Sequence, residues 1–203
     1  ETAPSPRRVR IFAAEKGLQL ETVQVDLANG EQFGAAFREI NPDCVVPVLE
    51  LDDGSRITEV LAICQYLEEL QPEPALIGST PAQRARAMSW AIKAEQYGLI
   101  SIRDAFRNTA KGLKGRALTG PVNYEQIPEL AERGRTGAAH FLERLEQQLG
   151  SNEFVAGDSY SIADITAMVF VDFAGWIKIG LPDDAVHLRR WHDAVSSRPS
   201  AAA

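Results

Sequence analysis

Apolar residues Val9, Ile11, Phe12 and Ala13 recur at spacings that suit one face of a helix, and Gly17 supplies a C-terminal stop, so the chain is expected to open with a helix. Pro4 and Pro6 bracket Ser5 just before it. A proline at the first helical position costs nothing, because the N–H it lacks has no intrahelical partner there. In LETVQVDL, Val23, Val25 and Leu27 alternate with polar residues, the period of a half-buried strand. Two further strands, Val46 to Leu51 and Arg56 to Thr58, are joined by Asp53-Gly54, a strong hairpin signal. Leu61, Ile63, Tyr66, Leu67 and Leu70 then mark an amphipathic helix beginning near Glu59. The predicted order is helix, strand, short helix, strand, strand, helix.

The character changes at a Pro-, Gly- and Ser-rich linker near residues 71 to 80, beyond which the pattern is helical throughout. This divides the chain into residues 1–72 and 80–203. Thr80 and Pro81 read as the cap and first turn of a helix running past Tyr97. NTAKGLKGRALTGPVNYEQIP, with three glycines and two prolines, reads as a mobile loop, and a further helix covers about Leu130 to Leu149. In DSYSIADIT, Ser161 and Asp164 form a capping box, a folding device. The functional alternative is a general base at Asp164 or Asp172.

A net charge of −7 over 203 residues argues against nucleic acid, and the cluster Arg7, Arg8, Arg10 is too short to overturn that. Those arginines read as a solvated or interfacial helix face, or alternatively as positive potential for an anion. With no apolar run of membrane-spanning length and no signal-peptide pattern, the expected location is the cytoplasm. Cys44 and Cys64 lack CxxC spacing and read as small buried side chains. His140, His187 and His192 are scattered without metal-ligand spacing, so no metal is implied. The start of the first helix is the most suggestive feature, since its partial positive charge and free amides favour an anion, and a thiolate is one.

Three segments, SPRRVRIFAAEKGL, INPDCVVPVLELDDGSRITEVLAICQYLEEL and FVAGDSYSIADIT, resemble in order and spacing those of soluble glutathione transferases, and the likeness spans nearly the whole chain. The form AP-x-P-x-RVRI is similar to a microbial group within that family. The resemblance implies an α/β thioredoxin-like N-terminal domain, an all-helical C-terminal domain, a homodimer, and a glutathione site at the edge of the first domain. It also implies a further strand upstream of Glu1. The expected activity is conjugation of the glutathione thiolate to a hydrophobic electrophilic small molecule. Two alternatives stay open: a non-catalytic binding or regulatory protein on the same scaffold, and a glutathione-dependent peroxidase or isomerase.

The resemblance also assigns the site. Pro47 matches a family proline that is cis, and the backbone of Val46 would pair with the cysteinyl backbone of glutathione as an added strand. Glu59 would meet the γ-glutamyl amino group and the Val60 amide its carboxylate, although the family usually has serine where Val60 stands. Gln32 would reach the glycyl carboxylate, or else is a solvated loop residue. The serine that many relatives place against the sulfur falls on Ala3, so Ser5 is the candidate catalytic residue, with Thr2 as another nearby hydroxyl. Ser5 acting only as a helix N-cap is the structural alternative. Tyr97, Phe106, Asn108 and Trp176 are the candidate walls of the electrophile pocket.

Overall fold

The computed structural model describes residues 3–203. Helix α1 (Pro4–Glu15) buries Val9, Ile11, Phe12 and Ala13, together with Arg8. Gly17, at φ 67°, ends it: the Leu18 N–H reaches the Ala13 carbonyl at 2.9 Å and the Gly17 N–H that of Ala14 at 3.0 Å. This paired closure satisfies two orphan carbonyls and needs the left-handed conformation that glycine adopts without strain. The strand expected at Val23 to Leu27 does not form. A strand exists only where a neighbour takes its backbone hydrogen bonds, and the sheet among the described residues holds just two other strands, so Val23 stands 87% exposed in irregular chain.

A short 3₁₀ turn (Glu31–Phe33) and helix α2 (Ala35–Ile40) lead to the hairpin β1 (Val48–Glu50) and β2 (Arg56–Thr58), paired Val48 to Thr58, Leu49 to Ile57 and Glu50 to Arg56. Helix α3 (Val60–Leu70) follows at once and buries Val60, Ile63, Cys64 and Leu67 against α1. The linker beyond α3 is fixed from below. Buried Lys16 pairs with Glu68 and also donates to the carbonyls of Pro72 and Pro74, while Glu68 accepts from the amides of Leu76 and Ile77.

Helix α4 (Pro81–Lys93) begins with a capping box between Thr80 and Gln83, and continues through a wide π turn (Ala94–Leu99) into α5 (Ile100–Arg107). A π turn inserts a residue and rotates everything beyond it relative to a 3.6-residue period. Gly98 sits in that turn because a Cβ there would lie 2.9 Å from the rings of Phe141 and Phe170. Residues 108–127 are more ordered than their composition predicts. The Arg107 guanidinium donates to the carbonyls of Arg116, Ala117 and Leu118, and Gln126 bridges the carbonyls of Arg107 and Ala110, closing the segment on itself.

Helix α6 (Pro128–Leu149) packs on α5, and α7 (Ile162–Ala174) runs through the middle of the molecule with every residue but Asp172 buried. Helix α8 (Val186–Ser196) and short 3₁₀ turns at Gly175–Ile177 and Pro199–Ala202 complete the chain. One core cluster joins α1 and α3 to the later helices. Ion pairs reinforce the junction: Arg7 with Asp172 of α7 at 2.5 Å, and Glu15 with Arg198 through two bonds of 2.7 and 2.6 Å. Of the three early arginines, Arg7 and Arg8 are therefore interfacial.

Candidate functional site

The last ladder pair is Val48 with Thr58, so Val46-Pro47 lead into β1 and Glu59-Val60 lead out of β2 at the same end of the hairpin. Four residues singled out in the sequence thus converge at the open end of β1 and β2. The Val46–Pro47 bond is cis, and the Val46 N–H and carbonyl have no hydrogen-bond partner among the described residues. An unpaired backbone edge of this kind can accept an extended peptide.

Glu59 has φ 68° and ψ 128°, a conformation that costs a non-glycine residue about 1–3 kcal/mol. It persists because β2 and α3 fix the chain on both sides. Its carboxylate is exposed and makes no ion pair or hydrogen bond among the described residues. Backbone strain of this kind clusters at active sites and ligand clamps. Immediately beyond it, the first-turn amides of α3, beginning with Val60, have no intrahelical acceptor. The Val60 side chain is 5% exposed and belongs to the core, which explains an apolar residue at this place. Gln32 is buried rather than a solvated loop residue, and its Oε1 has no hydrogen-bond partner among the described residues. Leaving such an atom unsatisfied costs about 1–3 kcal/mol, so a donor arriving with a ligand would stabilise it.

Ser5 is inside the first turn of α1, not its N-cap; that position belongs to Ala3, which makes no side-chain cap. Because Pro4 and Pro6 carry no N–H and the Arg7 N–H already donates to the Ala3 carbonyl at 3.2 Å, the Ser5 amide is the one donor of residues 4 to 7 without an acceptor among the described residues. The Ser5 hydroxyl accepts from Arg8 Nη2 at 3.4 Å, which leaves its own proton available. Arg8 is buried, with Nη1 3.3 Å from Glu95 and Nε without a partner among the described residues. Thr2, the other candidate hydroxyl, lies outside the described residues.

Beside Pro4 and Arg7 lies a small cleft of about 30 Å³, whose other walls are Val169, Asp172, Phe173 and Trp176. Phe106, Phe173 and Trp176 form an edge-to-face trio with ring centroids 5.0–5.9 Å apart. The structure therefore brings Phe106 and Trp176 together next to the start of α1. Phe173 is not among the candidates that the sequence suggests, although its spacing of three from Trp176 places both on one side of a helix. Tyr97 is elsewhere: it stacks with Arg144 at 5.4 Å and lines a groove of about 530 Å³ with Met88 and Ile92 on the outer side of α4. Glu95 faces α1, and a residue two positions on points the other way. Asn108 is consumed by the fold, donating to the Asp104 carbonyl and accepting from the Ile127 N–H, both at 2.8 Å.

Other titratable groups are structural. Cys44 and Cys64 are both buried and unpaired, and burial pushes the Cys64 thiol up to about 12, so it stays protonated. Burial would push the Asp172 carboxyl up, but hydrogen bonds from His192 and Arg7 outweigh it and hold it below the usual range. Asp164 is fully engaged at the start of α7. Among the described residues no three His, Cys, Asp or Glu side chains cluster as metal ligands, and no helix is long and apolar enough to cross a membrane.

Residues 2–70 match the glutathione S-transferase N-terminal domain family and residues 112–199 the glutathione S-transferase C-terminal domain family. Glutathione S-transferase 2 of Saccharomyces cerevisiae is 36% identical over 200 residues, covering 97% of this chain and 83% of that protein. The crystal structure of Gtt2 from the same yeast superposes with a TM-score of 0.90 at 34% identity, covering 99% of this chain and 95% of that one. A glutathione S-transferase domain-containing protein of Marinobacter aquaeolei gives a TM-score of 0.89 at 37% identity, covering 98% and 95%. The chain belongs to the glutathione S-transferase family, with a small α/β N-terminal part and a helical C-terminal part.

Proposed function

We propose that residues 1–72 form the glutathione-binding domain, residues 80–203 the helical domain, and that the two meet where a glutathione thiolate attacks a hydrophobic electrophile. The Val46 backbone pairs with the cysteinyl residue across the cis Pro47 corner. The Glu59 carboxylate takes the γ-glutamyl ammonium, the α3 amides from Val60 onward take its carboxylate, and Gln32 reaches the glycyl end. The observation that carries this reading is Glu59, strained and unengaged at the mouth of an unpaired strand edge.

The sulfur then lies at the start of α1, against the Ser5 amide and hydroxyl. Both donate to the thiolate and neither favours the thiol, so they hold its pKa below the free value of about 8.5. The proton leaves to solvent. An electrophile seated against Phe106, Phe173 and Trp176 forms a carbon–sulfur bond as its leaving group departs with the bonding pair, and proximity supplies the rest of the acceleration. Tyr97 lies in the outer groove, whose apolar residues Met88 and Ile92 suit a second copy of the chain. A homodimer working in the cytoplasm on toxic electrophiles completes the proposal.

Titration calorimetry tests the binding half. Glutathione is expected to bind with an affinity limited by the missing serine at position 60, a charge-assisted bond of about 1.5–3 kcal/mol. Val60→Ser should tighten binding about tenfold or more. The same change should lower stability by about 1–2 kcal/mol, because Val60 is a core residue. No binding at millimolar glutathione would remove the enzymatic reading.

A further inference from the structure

Between residues 103 and 126 the sequence inverts the charge of the chain: Arg103, Arg107, Lys111, Lys114 and Arg116 face only Asp104 and Glu125, in a protein of net charge −7. The closed loop after α5 gathers three of these cations. Arg107 Nη2 donates to the Arg116 carbonyl at 2.6 Å, and burial, followed by the fields of Arg116 and Arg103, lowers its pKa. The compensating groups are few. Asp104 pairs with Arg103 at 3.0 Å, and the Glu125 carboxylate lies beside Gly115. Arg107 spends its N–H groups on carbonyls, which satisfy its hydrogen bonds without neutralising its charge. Arg116 makes no ion pair among the described residues; it stacks 4.5 Å from the Phe33 ring, and its Nε is buried without a partner.

The position of this cluster gives it meaning. Phe33 adjoins Gln32 at the proposed glycyl end of glutathione, and Phe106, on the same helix as Arg103 and Arg107, packs edge-to-face on Phe173 and Trp176, which line the cleft beside α1. The arginines thus sit on elements that flank both proposed substrate positions. We infer that Arg103 and Arg116 form an anion-recognition site for the second substrate, and that this substrate is an electrophile bearing a carboxylate beside its aromatic or unsaturated body. Guanidinium forks match a carboxylate in shape and charge, and an incoming anion relieves the repulsion that Asp104 and Glu125 leave uncompensated. The inference rests on the function proposed above for the cleft, but its binding half does not require turnover.

The test has two arms on the full chain. Equilibrium dialysis without glutathione compares 3,5-dinitrobenzoate with its methyl ester, and initial rates with glutathione compare 4-chloro-3,5-dinitrobenzoate with its methyl ester, each corrected for the uncatalysed reaction, chloride leaving in both. The carboxylate is expected to be preferred about tenfold in each arm, and the preference to shrink as salt rises from about 0.05 to about 0.5 M. Arg116→Gln and Arg103→Gln, separately, should each lower the carboxylate-to-ester ratio severalfold, while Arg116→Lys, which keeps the charge, should retain most of it. Equal binding of acid and ester by the unaltered protein overturns the inference whatever the rates. So does an unchanged ratio in both glutamine variants. Charge-dependent binding with no turnover of either chloride would instead sustain the anion site and count against the transferase reading.

Discussion

Asp164→Ala is expected to lower stability by about 3–5 kcal/mol, a large share of the total for a domain of this size. The Asp164 carboxylate accepts from the Val155 N–H at 2.8 Å, the Ser161 N–H at 2.9 Å, the Ser161 hydroxyl at 3.1 Å and the Trp191 indole at 2.8 Å. Removing it strands several buried donors at once, and α7, which it caps, is the central element of the core. A urea melt reads the change, and a loss below 1 kcal/mol would contradict this account of the cap.

The same carboxyl carries a pH signature. Burial pushes it up to about 6, against an ordinary value of 3.8, despite the opposing hydrogen bonds from Val155, Trp191 and Ser161. Between these values the folded state holds a proton that the unfolded state has released. Its contribution is therefore fully present below about pH 4, falls as pH rises to 6, and is constant above. Glu15 and Asp172, whose carboxyls are held below their ordinary range, act in the opposite sense and cancel when two variants are compared. Asp164→Asn should thus trail the wild type by more at pH 4.5 than at pH 7.5, the gap narrowing by about 2 kcal/mol.

Glu59→Gly is expected to separate binding from stability. Losing the carboxylate should weaken glutathione binding about tenfold to a hundredfold, the worth of a charge-assisted hydrogen bond of about 1.5–3 kcal/mol. Relief of the strain at φ 68° returns about 1–3 kcal/mol, while the freer unfolded chain of a glycine takes back about 0.4–1 kcal/mol. The variant should be the more stable protein and the poorer binder. Glu59→Gln, which keeps the strain, should lose affinity with its melt within about 0.5 kcal/mol of wild type. A Glu59→Gly protein that is less stable and binds normally would show that the residue serves the fold.

The elements visible in the sequence are those specified by neighbours along the chain. The Gly17 closure, the Asp53-Gly54 hairpin and the two capping boxes each need only a few consecutive residues. Alternation over residues 23 to 27 is equally local, but a strand is a property of a pair, and that segment has no ladder. The loop after α5 reads as unstructured because its order comes from one guanidinium bonding carbonyls 9 to 11 residues away. Of the candidate pocket, Phe106 and Trp176 meet beside α1, whereas Tyr97 faces out and Asn108 is tied to backbone, distinctions that depend on the π turn and on the Ile127 amide. Nothing in the letters shows that Glu59 is strained or that Gln32 is buried. The Pro-Ser-Pro signature at the start of α1, by contrast, is legible: it leaves Ser5 as the single first-turn donor without an acceptor among the described residues.

That donor is the central claim, and ultraviolet titration of the thiolate of bound glutathione tests it most directly. The wild-type complex is expected to titrate well below the free value of about 8.5. Ser5→Ala, which keeps the amide, should raise that pKa by less than about one pH unit, and Ser5→Pro, tolerated in a first turn but lacking both hydroxyl and N–H, should raise it substantially further. A bound thiol that titrates like the free one in the wild type, or an equal rise in both variants, would contradict the account.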